Sequence, residues 1–183
     1  MRKIFIDCGG HDGCSIRMFD ETYKDADDFE RFSFEPNPKF KKHYTNLKTT
    51  LIPFAVHNYS GVCNFYIQTS EVSAGSSVEK RKKNLSKWYQ IETKCIRLSD
   101  FIKNNFETTD YIILKLDIEG LEYDVLEDLF NTDTILLINE LYIEFHYENL
   151  KIPNIENRHF KLLNKLSCIG LEPKEWDALH YRK

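Results

Sequence analysis

Three charged side chains in the second half of the chain have the types and the spacing that could do chemistry. Lys115, Asp117 and Glu119 follow an apolar run at intervals of two residues, so they point the same way while the chain stays extended. Charged groups are costly inside a sheet, and three of them at the end of a core strand indicate a site rather than a strand that simply ends in water. Asp117 or Glu119 could remove a proton from a hydroxyl group, and Lys115 could hold one of them ionised through a close pair.

A second set of such side chains lies about 25 residues further on. The run from residue 135 to 146 reads as the longest strand of the chain, and in period two it places four residues on one face: Glu140, Tyr142, Glu144 and His146. Together with Asp117, the residues Glu144 and His146 could bind a divalent cation such as Mn²⁺ or Mg²⁺. They could equally position a substrate hydroxyl or pair with Lys115, and His146 is the alternative general base.

The first residues of the chain predict a ligand site of their own. The apolar run of residues 4–6 ends in Asp7 and then in a turn that contains Gly9, Gly10 and Gly13. This is typical of a buried parallel strand whose carboxyl end opens into a loop, where α/β sheets bind ligands. The spacing D-x-G-x-x-x-G differs from the G-x-G-x-x-G of dinucleotide turns. It resembles the nucleotide loop of class I S-adenosylmethionine (SAM) methyltransferases.

An acidic residue follows the second predicted strand. Residues 31–35 alternate between polar and apolar side chains, and Pro36-Asn37-Pro38 then stops the strand directly after Glu35. In nucleotide-binding α/β folds an acidic residue in this position accepts hydrogen bonds from ribose hydroxyls. The alternative is a surface glutamate that only ends a strand, and the nearby glycine loop favours the binding role.

The elements that would position these residues alternate along the chain as in an α/β protein. We expect helices over residues 15–19, 39–47, 100–105 (with Ser99 as its N-cap), 122–130 and 155–166 (ended by Gly170). Further strands are expected over residues 49–56, 62–68 as an antiparallel partner of the previous strand, 91–98 and 111–116, with a terminal hairpin over 172–181 that contains Trp176. The acidic stretch 20–30 is predicted to be exposed, and residues 69–86 to form a loop whose basic run 80–83 faces solvent.

Composition limits the class of protein. A chain of 183 residues is expected to form a single domain, residues 1–183. Its formal net charge of −4 gives no reason to expect nucleic acid as a partner, and no apolar run is long enough to span a membrane. Five scattered cysteines without a C-x-x-C pair argue against a disulfide framework. The first predicted strand begins at once and leaves no room for a signal peptide. This early strand and the unpaired cysteines together predict a cytoplasmic protein.

Five stretches in this order and spacing resemble one known family. They are F-I-D-C-G-G-H-D-G, F-E-P-N-P, L-I-P-F-A-V with its turn to S-G-V-C-N-F-Y, I-R-L-S-D-F, and L-K-L-D-I-E-G-L-E-Y-D-V-L. Their arrangement is similar to that of the FkbM-type SAM-dependent methyltransferases, and the resemblance extends from Ile4 to about His146. The K-x-D-x-E-G stretch followed by E-x-x-V-L is its most specific part.

The resemblance implies a class I methyltransferase fold, which is Rossmann-like. This fold has a seven-stranded, mostly parallel sheet with helices on both faces and an antiparallel terminal hairpin. It also implies methyl transfer from SAM to an oxygen, commonly a hydroxyl of a sugar, a glycan or a small molecule. The residues implied to bind the cofactor are Asp7, Gly9, Gly10 and Gly13 around the methionine part, Glu35 at the ribose, and Ala55 and Val56 near the adenine. Asp117 and Glu119 would face the transferring methyl group and the acceptor.

Two other classes of protein remain open at this point. Glu35 would also suit an NAD-dependent oxidoreductase, although the missing G-x-G-x-x-G counts against one. A catalytically silent module that binds SAM, or binds nothing, and acts through protein interaction is the second alternative. The charged residues after the strand that ends at Leu116 argue for an enzyme.

Overall fold

Nine strands, four α-helices and four short 3₁₀ helices make up the regular structure of the part described in the computed structural model, residues 1–68, 73, 75–83 and 89–176. The strands are β1 (Lys3–Cys8), β2 (Phe29–Phe34), β3 (Thr50–Ile52), β4 (Ala55–His57), β5 (Gly61–Tyr66), β6 (Gln90–Arg97), β7 (Tyr111–Leu116), β8 (Glu140–Ile143) and β9 (Pro173–Lys174). The helices are α1 (Cys14–Thr22), α2 (Leu98–Asn105), α3 (Glu122–Asn131) and α4 (Ile155–Cys168).

The strands form two sheets. Six of them make the central sheet in the order β3-β2-β1-β7-β8-β9, and every neighbouring pair in it is parallel. The order reverses between β1 and β7, and ligands of open α/β sheets bind in the crevice at the carboxyl ends of the strands at such a point. A smaller sheet has the order β4-β6-β5, with β4 parallel and β5 antiparallel to β6.

The core lies on both faces of the central sheet. Ile4 and Ile6 of β1 pack into a cluster with residues of α2, α3 and α4, whereas Phe5 points the other way and stacks on Phe19 of α1 at 4.2 Å between ring centroids. Because both faces of β1 are covered, its apolar run is continuous instead of alternating. The predicted α/β, Rossmann-like architecture with helices on both faces is confirmed at this level.

The third predicted strand is divided between the two sheets. Residues 49–56 were expected to form one strand, but β3 ends at Ile52 and β4 begins at Ala55. Pro53 has no backbone N–H to donate to a ladder, and the N–H of Phe54 turns back to the carbonyl of Ile52 over 2.8 Å. The expected antiparallel neighbour, β5, pairs with β6 and not with β3 or β4, so that part of the prediction is wrong.

The prediction of one long strand over residues 135–146 is also wrong. Within residues 135–146 only Glu140–Ile143 is a strand, and Thr134–Leu137 forms a 3₁₀ helix that begins after Asp133, a residue with a left-handed φ of 56°. A short continuous apolar run does not by itself distinguish a strand from a buried helical turn. Glu144 and His146 therefore lie in the segment after β8.

Helix ends follow the predictions to different degrees. The expected left-handed glycine after α4 is confirmed, since Gly170 has a φ of 71° and the N–H of Leu171 donates to the carbonyl of Leu166 in a Schellman arrangement. Ser99 is not the N-cap of α2; Arg97 occupies that position, and Ser99 donates to Asp128 instead. The helix expected at residues 39–47 is a 3₁₀ helix over Pro38–Tyr44, α1 extends to Thr22, and Ala26 and Phe29 of the acidic stretch are buried.

The seventh strand and the terminal hairpin are not confirmed. Residues 177–181 of the expected hairpin lie outside the described part, and β9 pairs in parallel with β8. Trp176 is half-buried and stacks on Phe5 at 5.5 Å. Among the described helices, none has the length and apolar character that crossing a membrane requires.

Candidate active site

A cavity of about 700 Å³ opens at the carboxyl ends of the central strands. Seven residues singled out in the sequence line it: Gly9, Glu35, Ala55, Val56, Asp117, Glu119 and Glu144. They come from the ends of β1, β2, β7 and β8 and from β4, so the reversal of strand order brings them together as expected. The volume is within the range of small-molecule and cofactor pockets.

Hydrogen bonds hold the glycine loop after β1 against the end of β2. The N–H groups of Gly9 and Gly10 both donate to the carbonyl of Phe34, over 3.1 and 3.0 Å. Gly9 has a φ of 85°, and a Cβ at this position would lie 1.7 Å from the carbonyl oxygen of Asp117. Only glycine therefore allows the loop after β1 to approach the loop that carries Asp117.

Asp7 and Lys115 form a buried ion pair beneath the cavity. Asp7 is fully buried, its Oδ1 lies 3.2 Å from Nζ of Lys115, and its Oδ2 accepts from Ser33 over 2.9 Å. Lys115 also lies 3.5 Å from Oδ2 of Asp117. Burial alone would lower the pKa of Lys115, but the charges of Asp7 and Asp117 raise it above its ordinary value. Neither Asp7 nor Lys115 lines the cavity, so both act on Asp117 from below.

Gly10 and Gly13 belong to the same loop as Gly9 but do not line the cavity. A Cβ on Gly10 would lie 2.1 Å from Oγ of Ser33 and 2.3 Å from the hydroxyl of Tyr44. Gly13 has a φ of 79°, occupies the N-cap position of α1 and packs near Leu47. These two glycines let the chain turn from β1 into α1 around the Asp7 pair.

Glu35 is a buried carboxylate in the wall of the cavity. It is 8% exposed, and its two oxygens accept from the backbone N–H groups of His11 (2.8 Å) and Asn37 (2.7 Å). Burial raises the pKa of Glu35 to about 7, against the two backbone hydrogen bonds that lower it. Each oxygen keeps acceptor capacity, because a carboxylate has about four lone-pair sites in all.

Asp117 and Glu119, which line the cavity, form a cluster of titratable groups with His146, which lies next to them and does not line it. One ligand atom from each lies within 4.8 Å of the others. Nε2 of His146 is 3.9 Å from Asp117 and 3.4 Å from Glu119, and it is 3.5 Å from Glu144. Glu119 has a φ of 62°, so the chain is not extended there as the sequence suggested. The turn nevertheless brings its carboxylate back beside Asp117.

The other nitrogen of His146 is held by Glu122, which the sequence reading assigned only to a helix. Nδ1 lies 3.0 Å from Oε1 of Glu122, a fully buried residue that also accepts from the N–H groups of Ile118 and Gly120 over 3.0 Å. Burial would lower the pKa of His146, but hydrogen bonds to Glu122 and Glu144 and the nearby charges raise it to about 11. The imidazole is therefore protonated at neutral pH and is no free base in this state.

Lys82 is a second residue that the sequence reading missed. The basic run was expected to face solvent, but Lys82 is buried and its ammonium donates to Glu119. Ser77 of the same segment donates to the carbonyl of Glu119 over 2.8 Å. No local signal marked these contacts, because they join positions 37 and 42 residues apart.

The fold and this site define a Rossmann-like α/β protein with a carboxylate-lined cavity at the carboxyl ends of its central strands. The profile of the family described as "Methyltransferase FkbM domain" matches residues 7–167. The chain belongs to the FkbM methyltransferase family, as the sequence motifs predicted. No curated protein and no solved structure matches the chain significantly.

Proposed function

We propose that this chain is a SAM-dependent O-methyltransferase that acts on a hydroxyl group of a sugar or glycan with the help of a divalent cation. One observation carries the proposal: a single cavity is lined by Glu35 on one side and by Asp117 and Glu119 on the other. The first carboxylate suits ribose hydroxyls, and the others suit an acceptor hydroxyl. Membership of the FkbM family supports methyl transfer as the reaction.

The residues present fit the cofactor. Glu35 lines the cavity just after β2, where a ribose diol would donate to its carboxylate. Ala55 and Val56 are buried apolar residues in the same wall and provide a surface for the adenine. Gly9 keeps the wall beside Asp117 free of a side chain, which leaves room for the methionine part.

The chain's own residues would position the acceptor and take up its proton. SAM supplies an electrophilic methyl group when it is bound. Asp117 lines the cavity and would accept the proton of the acceptor hydroxyl at one of its oxygens. Lys115, held by Asp7, keeps a positive charge 3.5 Å from Asp117 and fixes the orientation of that carboxylate. Glu119 would hold the acceptor through a second hydrogen bond.

A divalent cation would be held by Asp117, Glu119 and His146, with Glu144 as a further ligand. Carboxylate oxygens suit both Mn²⁺ and Mg²⁺. The single imidazole among them favours Mn²⁺ over Mg²⁺. His146 has the arrangement of a metal-binding histidine, because Glu122 holds Nδ1 and Nε2 faces the carboxylates. A bound cation would lower the pKa of an acceptor hydroxyl, and it would take the place of the proton on Nε2.

Turnover with a labelled methyl donor tests the proposal. The purified protein is incubated with tritium-labelled SAM and a panel of mono- and oligosaccharides, with Mn²⁺ or with EDTA. We expect label in an acceptor, stability of that label to mild base because methylation of a hydroxyl gives an ether, and a loss of transfer with EDTA. A protein that binds SAM but labels no acceptor would contradict the enzymatic proposal, and transfer unaffected by EDTA would contradict the cation.

A further inference from the structure

A lysine of the basic run lies against the proposed cation site. Lys82 is 6% exposed, and its Nζ donates to Oε2 of Glu119 and, over 3.0 Å, to the carbonyl of Gly75. The same Oε2 of Glu119 is 3.4 Å from Nε2 of His146. One carboxylate oxygen therefore faces an ammonium group and an imidazole at the same time.

The backbone around Lys82 is fixed by its own hydrogen bonds. Residue 82 forms an antiparallel bridge with Leu150, and on either side of it Lys83 donates to Asn149 over 2.7 Å and Lys151 donates to Arg81 over 3.0 Å. These backbone hydrogen bonds position the side chain of Lys82 beside Glu119. Because the backbone is held in this way, a loss of the contact with Glu119 would be a movement of the side chain alone.

A divalent cation and the ammonium would compete for Glu119. A cation bound to Oε2 would lie within a few ångströms of Nζ, and two like charges at that distance in a buried place are poorly screened. The carbonyl of Gly75 remains as an acceptor when the contact with Glu119 is given up. Lys82 thus keeps one of its two hydrogen-bond partners when it gives up Glu119.

We propose that Lys82 and a divalent cation bind Glu119 in exchange, so that Lys82 sets the affinity of the site for the cation. The inference rests on the proposed function, which places a cation at this cluster. Without the cation, Lys82 neutralises Glu119. With the cation bound, its ammonium withdraws to Gly75, and the segment of residues 75–83 responds to the state of the reaction centre through this one side chain.

Mn²⁺ titration of three proteins tests the exchange. Free Mn²⁺ is followed by electron paramagnetic resonance with the wild type, with Lys82→Met, which keeps the length of the stem without the charge, and with Lys80→Met. Lys80 belongs to the same run and is exposed, so it is the matched control. We expect Lys82→Met to bind Mn²⁺ about tenfold more tightly than the wild type, which is a usual size for coupled sites, and Lys80→Met to be unchanged.

A second measurement on the wild type does not depend on the folding of a variant. Lysines are acetylated briefly with and without Mn²⁺, and the modification of Lys82 relative to Lys80 is measured by mass spectrometry. We expect Lys82 to become more reactive when Mn²⁺ binds. Equal Mn²⁺ affinities with unchanged labelling would overturn the exchange and leave the cation site in place. If none of the three proteins binds Mn²⁺, both the exchange and the cation site are overturned. Binding of S-adenosylhomocysteine by the same samples tests the methyltransferase proposal separately.

Discussion

Oε1 of Glu122 and Nδ1 of His146 lie 3.0 Å apart, although Glu122 begins α3 and His146 follows β8. The same carboxylate accepts from the N–H groups of Ile118 and Gly120, in the turn that carries Glu119. One buried side chain therefore fixes both the imidazole and the acidic turn of the proposed site.

Glu122→Gln should weaken the proposed cation site. The amide has no negative charge to hold Nδ1 of His146, and the loss of a carboxylate that holds a metal-binding histidine usually lowers metal affinity by roughly 10- to 100-fold. We expect a loss of Mn²⁺ affinity of that size by calorimetry, with S-adenosylhomocysteine binding retained. Glu127→Gln on the same helix, at a half-exposed ion pair with Arg158, is the control and should bind Mn²⁺ as the wild type does. Unchanged affinity in Glu122→Gln would remove Glu122 from the account of the site.

Asp117→Asn should separate binding from turnover. The amide keeps the shape of the side chain but cannot accept the acceptor's proton, and such a loss typically lowers kcat by about 100- to 10,000-fold. We expect that decrease in the labelled-methyl assay while the affinity for S-adenosylhomocysteine stays the same. Asp100→Asn, a half-exposed residue of α2, is the matched control. Normal turnover by Asp117→Asn would rule out its role as the base.

Cofactor binding should depend on pH through Glu35. Burial raises the pKa of Glu35 to about 7, and ribose hydroxyls donate to the ionised carboxylate but lose an acceptor when it is protonated. The affinity for S-adenosylhomocysteine should therefore increase by up to about tenfold as pH rises from about 6 to about 8. The affinity of Glu35→Gln should be lower and should not change with pH over that range. A wild-type affinity that is flat with pH would contradict the ribose role.

Ionisation of Glu35 should have the opposite effect on the stability of the free protein. The folded protein binds the Glu35 proton more tightly than the unfolded chain does, because the folded pKa lies above the ordinary value. Its contribution to stability is therefore complete below the unfolded pKa and is lost as pH rises through about 7. The increase in cofactor affinity with pH would thus occur while the free protein becomes slightly less stable.

Gly10→Ala should destabilise the fold through crowding alone. Its Cβ would lie 2.1 Å from Oγ of Ser33 and 2.9 Å from Oδ2 of Asp7, within the buried network that holds Lys115. We expect a loss of about 3 kcal/mol in urea unfolding. Gly170→Ala is the contrasting control, because its φ is 71° and nothing lies near the new methyl group, so about 1 kcal/mol of backbone strain is expected. Equal losses in the two variants would contradict the crowding argument.

Residues at the ends of strands could be found from the sequence. Asp7 and Asp117 each follow an apolar run and Glu35 follows an alternating strand, and in a parallel sheet such positions meet at one edge. The glycine spacing and the K-x-D-x-E-G stretch added the family, and the family profile confirms it. What was predicted well therefore depended on local patterns and on the rule that relates strand ends to ligand sites.

Contacts between distant segments could not be found in the same way. Lys82 meets Glu119 because residue 82 is bridged to Leu150, and nothing in the run of four basic residues distinguishes the buried lysine from its neighbours. Glu122 looks like an ordinary acidic residue in the first turn of a helix. The apolar residues 135–138 fit a strand as well as a turn of helix, and tertiary packing decided between them.

Calorimetric titration with S-adenosylhomocysteine, with NADH as the negative control, decides whether the cavity binds the proposed cofactor. At about pH 8, where Glu35 is ionised, we predict micromolar binding of S-adenosylhomocysteine with one site per chain and no binding of NADH. Glu35→Gln should weaken that binding. The absence of S-adenosylhomocysteine binding by a folded protein, or tighter binding of NADH, would contradict the account.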